Sequence, residues 1–320
     1  MSYAKINGVN LYYEDYGTGP AVILTPGGRV DHNGLRPIAA LLSAHFRVIL
    51  HDRRNCGKSD IVICGELSEQ HAWGEEMAGL LKQIGAAPAY LIGGAAGSRT
   101  SITVAVRHPE VVKGIYVWEV SGGPNSGMLM SPGYYGQYID AAEQGGMAAV
   151  AETDFFAQRI KDNPSNRDRL MSMDVKEFLS VMRRWQAEFA RPNPVGDLTE
   201  EELRSVTCPT VLLEGNTPDD VHHVSAAENA HRLMPNTELR PSAWTHEEWG
   251  VIGQHDHTFA GIAATNRYSM KAPFTPRRSL SSSIKSRPPN PPRPRSATKR
   301  PVRRQQARLW RAQTPIQIGW

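Results

Sequence analysis

An α/β fold with a doubly wound, mostly parallel sheet is predicted for this 320-residue chain on three observations. Over roughly the first 120 residues, short apolar segments alternate with segments of helical apolar spacing, a pattern typical of parallel strands covered by helices on both faces. A stretch rich in methionine and aromatic residues, without a strand pattern, follows. The strand–helix alternation then resumes, before a final segment rich in proline, arginine and serine.

The predicted elements begin with a β-hairpin over residues 3–14, where alternating apolar residues flank Asn7-Gly8, a pair that tolerates positive φ. The later strands are short apolar runs, predicted at 21–25, 46–50, 90–93, 114–118, 211–214 and 238–240. Helices are predicted at 68–84, 96–107 and 225–233. In the first of these, the apolar positions follow helical spacing and Gly85 comes next as a C-terminal stop.

The region without strands predicts a helical cap inserted into the core. We therefore divide the chain into residues 1–121, the first part of the core; 122–205, the cap; 206–268, the second part of the core; and 269–320, a tail. Methionine and aromatic residues in such a cap are usually core. A pocket that they line suits a medium-sized, largely apolar substrate.

The formal charge of +4 conceals an uneven distribution. No acidic residue follows Asp256, whereas 13 of the 36 basic residues lie between Lys271 and Arg311, so residues 1–270 carry a net charge of −9. The Pro- and Arg-rich composition predicts that residues 269–320 are a disordered extension or out-of-frame readthrough, because they cannot bury a core. Binding of nucleic acid or an anionic membrane is the disfavoured alternative, since no amphipathic period accompanies the charge.

The three cysteines, Cys56, Cys64 and Cys208, are an odd, sparse set without C-x-x-C spacing. They argue against a disulfide framework or zinc site, so we expect neither metal nor organic cofactor, and a reducing cytoplasm. The first residues lack the apolar segment of a signal peptide, and no run of roughly 18 apolar residues predicts a membrane span. The expected partner is a small-molecule substrate, without nucleic acid or membrane; the oligomeric state stays open.

The position with most chemical consequence follows the strand at 90–93. Residues 91–98, Leu-Ile-Gly-Gly-Ala-Ala-Gly-Ser, join that strand to a helix, and Gly93 and Gly97 flank Ala95. Small residues at this spacing are typical of a strained strand-to-helix turn. The turn resembles the nucleophile elbow of α/β hydrolases, in which a serine occupies the position of Ala95.

Other segments, in family order, extend this resemblance over roughly residues 5–265. Pro26-Gly27-Gly28-Arg29 resembles the oxyanion loop that follows the third strand of the family. Residues 52–60 resemble the family segment Asp-x-Arg-Gly-x-Gly-x-Ser, with Asn55 where glycine is usual, and residues 107–110 resemble the end of the nucleophile helix. The resemblance implies an α/β-hydrolase fold and a structural role for residues 52–60, which tie a loop beneath the site.

The resemblance also implies oxyanion donors. Gly28 and Ala96 would aim their backbone N–H groups at the developing negative charge, with Gly27 and Arg29 beside them as oxyanion or substrate contacts. Ser98 is a poor alternative nucleophile because Thr100 is not small and Ser98 lies inside the predicted helix.

An acid follows the nucleophile in the family order. Asp219, in the loop after the strand at 211–214, is the favoured acid, with Asp220 close behind, although either aspartate could cap the next helix instead. Glu119 is the rival. It ends the strand at 114–118, where a minority branch that includes zearalenone-lactonase-like enzymes places its acid; it could equally bond to loop amides.

A histidine follows the last strand in the same order. His246 is the favoured base, with His255 and His257 as alternatives, and Thr245 stands where the family has a glycine. An ordinary surface histidine is the competing interpretation of His246.

Alanine at position 95 cannot attack a carbonyl or form an acyl-enzyme. Loss of the nucleophile costs about 10⁶-fold in turnover in a serine protease. Three hypotheses stay open: a knockout of a serine hydrolase acting on an apolar ester or lactone, a non-catalytic small-molecule binder, and an enzyme whose reaction needs no nucleophile, such as an elimination promoted by His246. The first predicts an esterase or lactonase with the mechanism of serine hydrolases.

Overall fold

A computed structural model describes residues 2–215 and 221–242, and it confirms the predicted α/β fold. The strands in this part of the chain are β1 (Ser2–Ile6), β2 (Val9–Tyr16), β3 (Ala21–Thr25), β4 (Arg47–His51), β5 (Ala89–Gly94), β6 (Val112–Trp118), β7 (Thr210–Leu213) and β8 (Thr237–Arg240). The α-helices are α1 (Arg36–Leu42), α2 (Glu69–Gln83), α3 (Ala96–Arg107), α4 (Gly123–Ser131), α5 (Gln137–Ala151), α6 (Asp154–Asp162), α7 (Ser165–Met171), α8 (Val175–Phe189), α9 (Glu200–Arg204) and α10 (Val224–Leu233).

The strands form one sheet in the order β1-β2-β4-β3-β5-β6-β7-β8. β1 and β2 pair antiparallel, as do β2 and β4, and the remaining neighbours are parallel. The chain runs outward in opposite directions from β3, to β4 on one side and β5 on the other. Ligands of open parallel sheets bind at such a switch point, outside the carboxyl ends of the strands. The loops after β3 and β5 both begin there.

The core lies on both faces of the sheet because successive strand side chains point to opposite sides. Ile23 and Leu91 pack with Met77 of α2 on one face. On the other face, Leu24 packs with Ile38 of α1. All five side chains are buried, as expected for parallel strands covered by helices.

The region between β6 and β7 is helical, as predicted. Its β-structure is limited to an isolated bridge between Val195 and Leu198. Its helices α4 to α8 form a separate aromatic cluster around Phe156, Phe178 and Trp185. Val195 and Leu198, by contrast, pack in the main core of the sheet. If the insertion is defined by the residues that pack in its own aromatic cluster, it spans residues 123–189. Its end therefore lies before the expected boundary at 205.

The predicted elements agree with the observed ones to within two residues at each end, and α3 has the predicted bounds. The hairpin turn has positive φ at Asn7 (49°) and Gly8 (84°), as expected for that pair. α1 was not predicted. Across the described residues, no helix is long and apolar enough to cross a membrane. The predicted tail, residues 269–320, lies outside the described residues.

Candidate active site

Ala95 occupies a strained turn between β5 and α3. Its φ of 51° and ψ of −114° lie outside the regions that residues with a Cβ atom favour. A Cβ atom on Gly93 would lie 2.7 Å from the carbonyl carbon of Gly97, and one on Gly97 would lie 2.2 Å from the carbonyl oxygen of Thr25. Positions 93 and 97 therefore require glycine, and the turn is the strained strand-to-helix turn that the sequence predicts.

Glu119 lies next to this turn, at the end of the adjacent strand. Gly94 and Trp118 are paired at the ends of β5 and β6, and the Ala95 N–H donates to the Trp118 carbonyl oxygen at 3.2 Å. Glu119 follows with φ of 51°, a second strained position for a residue that is not glycine. The structure thus brings Glu119 and Ala95 to neighbouring strand ends.

The loop after β3 contacts position 95. A Cβ atom on Gly27 would lie 3.4 Å from the Ala95 Cβ, and Gly28 has φ of 42°. The buried Arg53 holds this loop, since its Nη2 donates to the carbonyl oxygens of Gly27 at 3.1 Å and Gly28 at 2.6 Å. A trans peptide directs its C=O and N–H in opposite directions, so the Gly28 N–H points away from Arg53. Ala96 begins α3, where an N–H has no partner within the helix.

Arg53 was not singled out in the sequence. Its guanidinium lies over the ring of Trp73, with 4.3 Å between the guanidinium carbon and the ring centroid. Burial lowers the pKa of Arg53, but an arginine stays charged in proteins. A positive charge therefore lies behind the loop after β3.

Arg29 has protein partners for both terminal nitrogens. Its Nη1 donates to the Tyr134 carbonyl oxygen at 2.7 Å, and its Nη2 donates to the buried carboxylate of Glu69. Burial opposes the charge, but Glu69 outweighs it and raises the pKa of Arg29. The guanidinium also stacks on Tyr135 of the insertion. Arg29, expected among the oxyanion or substrate contacts, thus links the loop to the insertion.

Asp52 ties two loops together beneath the turn, as the family resemblance implies. Its carboxylate accepts the backbone N–H of His32 at 2.8 Å and of Lys58 at 2.9 Å, and it lies 2.9 Å from His32 Nδ1. Asn55, where glycine is usual, keeps the positive φ of 63° that a glycine would adopt. Asparagine tolerates this conformation better than most residues.

Two alternative nucleophiles are excluded by burial and bonding. Ser98 is inaccessible, and its hydroxyl donates to the Ala95 carbonyl oxygen at 2.6 Å. Cys56 is also inaccessible, and burial raises the pKa of its thiol to about 11. A thiol of that pKa is protonated at neutral pH and is a poor nucleophile.

The remaining predicted site residues, Asp219, Asp220, His246, His255 and His257, lie outside the described residues. The strands before them end at Leu213 and Arg240. Both strands are parallel to β5, so they end at the edge of the sheet where Ala95 lies. Within residues 2–215 and 221–242, no group of three or more histidine, cysteine, aspartate or glutamate residues could hold a metal ion.

Comparison with known proteins agrees with this geometry. The family model described as alpha/beta hydrolase fold matches residues 20–169. This match places residues 20–169 in the α/β-hydrolase fold family. It matches an uncharacterized hydrolase of Bacillus subtilis (strain 168) at 31% identity over 110 residues, which is 34% of this chain and 40% of that protein.

A second relative is a 2-hydroxy-6-oxononadienedioate/2-hydroxy-6-oxononatrienedioate hydrolase of Burkholderia vietnamiensis (strain G4 / LMG 22486). It is 34% identical over 124 residues, 37% of this chain and 42% of that protein. The chain therefore spans less than half the length of these two relatives in the match. Among solved structures, the enol-lactonase from Burkholderia xenovorans LB400 superposes with a TM-score of 0.55 at 20% identity, over 79% of this chain and 95% of that one. The two relatives are described as hydrolases, and the enol-lactonase shares the fold of this chain.

Proposed function

We propose that this scaffold hydrolyses a medium-sized ester or lactone when serine occupies position 95. The observation that carries the proposal is the backbone of Ala95, which is held at a positive φ between two glycines that no larger residue could replace. Such strain persists where the surrounding structure enforces it, and it concentrates at active sites. The turn would expose a serine Oγ at the carboxyl edge of the sheet.

The roles of the other residues follow from this placement. His246 would take the proton from the serine, and Asp219 or Glu119 would orient the histidine. The backbone N–H groups of Gly28 and Ala96 would stabilise the oxyanion. The contact between Gly27 and Ala95 supports this oxyanion assignment, and the neighbouring strand ends support Glu119 as the acid.

The chain with Ala95 would bind its substrate without turnover. A non-catalytic small-molecule binder is the second candidate, and Ala95 itself favours it, because a methyl group has no lone pair to attack with and no acidic proton to give to a base. The two candidates differ in whether a hydroxyl at this position restores chemistry. A reaction that needs no nucleophile is the third, and it would proceed with alanine in place.

The test compares hydrolysis of chromogenic esters and aromatic lactones by the chain and by the Ala95→Ser variant. We expect the serine variant to turn over at least about 10³-fold faster than the alanine chain, since loss of a serine nucleophile costs up to about 10⁶-fold. Ala95→Ser/His246→Gln is the control and should return to the background. Adding Glu119→Gln or Asp219→Asn to Ala95→Ser would identify the acid by which substitution removes activity.

Silence of the folded Ala95→Ser variant across this panel would contradict the proposal. Binding of the same esters by the alanine chain, without hydrolysis by either protein, would then favour the non-catalytic binder. Equal turnover by both proteins would favour a reaction without a nucleophile.

A further inference from the structure

A small cavity with two arginines in its lining lies between the start of α3, the end of β6 and the helical insertion. Its volume is about 10 Å³, and it is partly open to solvent. Two arginines, Arg99 and Arg191, and two serines, Ser121 and Ser126, line it together with glycine, methionine and phenylalanine. None of the lining residues is acidic, so both charged side chains that line the cavity are positive.

Arg99 is buried, with 2% of its surface exposed. Its Nη1 donates to the hydroxyl of Ser121, whereas its Nε and Nη2 have no hydrogen-bond partner. Its guanidinium carbon lies 4.9 Å from the ring centroid of Phe189. A guanidinium remains charged even when buried, and buried donors without a protein hydrogen-bond partner are free to bind a ligand that accepts hydrogen bonds.

Ser126 supplies a third unused polar group. It lies in α4, is also 2% exposed, and its Oγ has no hydrogen-bond partner. Arg191, at the end of the insertion, is exposed and adds a second positive charge. The cavity thus combines buried donors without acceptors with a cation at the surface.

We propose that this cavity binds a carboxylate. A planar guanidinium presents two N–H donors in a fork that matches the two oxygens of a carboxylate. The Ser126 hydroxyl would donate to the same group, and Arg191 would attract the anion from solution. Such a ligand would satisfy the three polar atoms that the protein leaves unpaired.

The cavity lies close to position 95. The Arg99 N–H donates to the Ala95 carbonyl oxygen at 3.3 Å, so Arg99 is one helical turn from the elbow. The next step rests on the proposed hydrolysis. Given that reaction, the substrate is an ester or lactone that carries a free carboxylate group. The apolar body expected from the aromatic insertion would then be only part of the ligand.

The binding test uses isothermal titration calorimetry of the full chain with acetate and glutarate, and with uncharged glutaramide. We expect both carboxylates to bind and the diamide to be silent. Arg99→Met should weaken carboxylate binding by roughly tenfold to a hundredfold, as for loss of charged hydrogen bonds. Lys113→Met is the matched control: Lys113 is exposed at the opposite end of β6, so this variant removes the same charge and should retain binding.

Arg99→Met removes a buried group and its fold must be checked by circular dichroism. If it does not fold, Ser126→Asp replaces it, because that variant places an internal carboxylate beside Arg99 and should abolish glutarate binding. Unchanged binding in Ser126→Asp, equal binding of glutaramide, or no binding by the unmodified chain would overturn the proposal. Tighter binding of inorganic phosphate than of glutarate would also overturn its carboxylate assignment.

A separate assay distinguishes this inference from the proposed hydrolysis. The Ala95→Ser variant is given the aryl ester of a neutral acid and the aryl monoester of glutaric acid. We expect kcat/KM to be at least tenfold higher for the monoester, and Ser126→Ala to raise KM for that substrate alone. Hydrolysis of both esters at equal rates would contradict the carboxylate site and leave the hydrolase intact. Glutarate binding by a variant that hydrolyses neither ester would support the carboxylate site and contradict the proposed hydrolysis.

Discussion

At the scale of single residues, His51 shows how burial makes stability depend on pH. It ends β4 with 1% of its surface exposed; its Nε2 lies 3.0 Å from Thr25 Oγ1 and its Nδ1 has no partner. Burial, helped by the positive charge of Arg53, lowers the pKa of His51 to about 3. The folded chain therefore keeps this ring neutral at pH values where the unfolded chain protonates it.

We expect acid to destabilise the chain through this ring. An unfolded histidine has a pKa of about 6.5, so the unfolded state binds the extra proton between pH 6.5 and 3, and the free energy of unfolding falls as pH falls through this window. The slope approaches about 1.4 kcal/mol per pH unit below the unfolded pKa, and the loss between pH 6.5 and 4.5 is about 2 kcal/mol. Urea denaturation at these two pH values measures it.

Because glutamine does not titrate, His51→Gln should reduce the fall in the free energy of unfolding between pH 6.5 and 4.5 by the contribution of this ring. His45→Gln is the control, because His45 is exposed and its substitution should leave the slope unchanged. Equal slopes for the chain and His51→Gln would mean that the ring is protonated in the folded state.

At the scale of elements, the insertion is joined to the core by a short helix. Asn166 of α7 is fully buried; its Oδ1 accepts the Ile61 N–H at 2.8 Å, and its Nδ2 donates to the Ser59 carbonyl oxygen at 3.1 Å. One side chain thus satisfies two backbone groups of the loop after β4. Buried backbone groups need such partners because water cannot reach them.

We expect Asn166→Ala to lower the free energy of unfolding by about 2 kcal/mol, because it leaves a buried N–H and a buried C=O unpaired. Chemical denaturation at pH 7 measures the change. Ser165→Ala, in the same helix and exposed, should change it by less than about 0.5 kcal/mol. A loss in Asn166→Ala no larger than in Ser165→Ala would show that the two hydrogen bonds of Asn166 do not stabilise the attachment of the insertion.

Asn166 also shows where sequence interpretation ends. The elements followed from local patterns: the bounds of α3 come from the turn before it and the apolar spacing within it. The contact between Asn166 and Ile61 joins residues 105 positions apart, and no local pattern contains it. The same holds for the contacts of Arg53 with the oxyanion loop. The elbow was predictable because its glycines are constrained by neighbours a few residues away, whereas the unpaired donors of Arg99 depend on the insertion that surrounds them.

At the scale of the whole molecule, charge divides the chain. Residues 1–270 carry a net charge of −9, and the 13 basic residues after them have no acidic counterpart. From this composition we predict that the segment adds no apolar surface to a core. The prediction that residues 269–320 contribute nothing to the stability of the fold therefore rests on composition, since these residues lie outside the described part of the chain.

We expect a chain that ends at Tyr268 to unfold at the same urea concentration as the full chain, with the same m-value, because m scales with the surface that unfolding exposes. Any electrostatic attraction between the basic segment and the acidic remainder should appear as a small difference at low ionic strength that disappears near 0.5 M salt, where the Debye length is about 4 Å. Measurement at both ionic strengths separates the two contributions. A lower m-value in the shortened chain at high salt would show that the segment buries surface in the folded state. In that case the basic segment would be part of the folded structure, and ligand binding at the carboxyl edge of the sheet would have to be measured on the full chain.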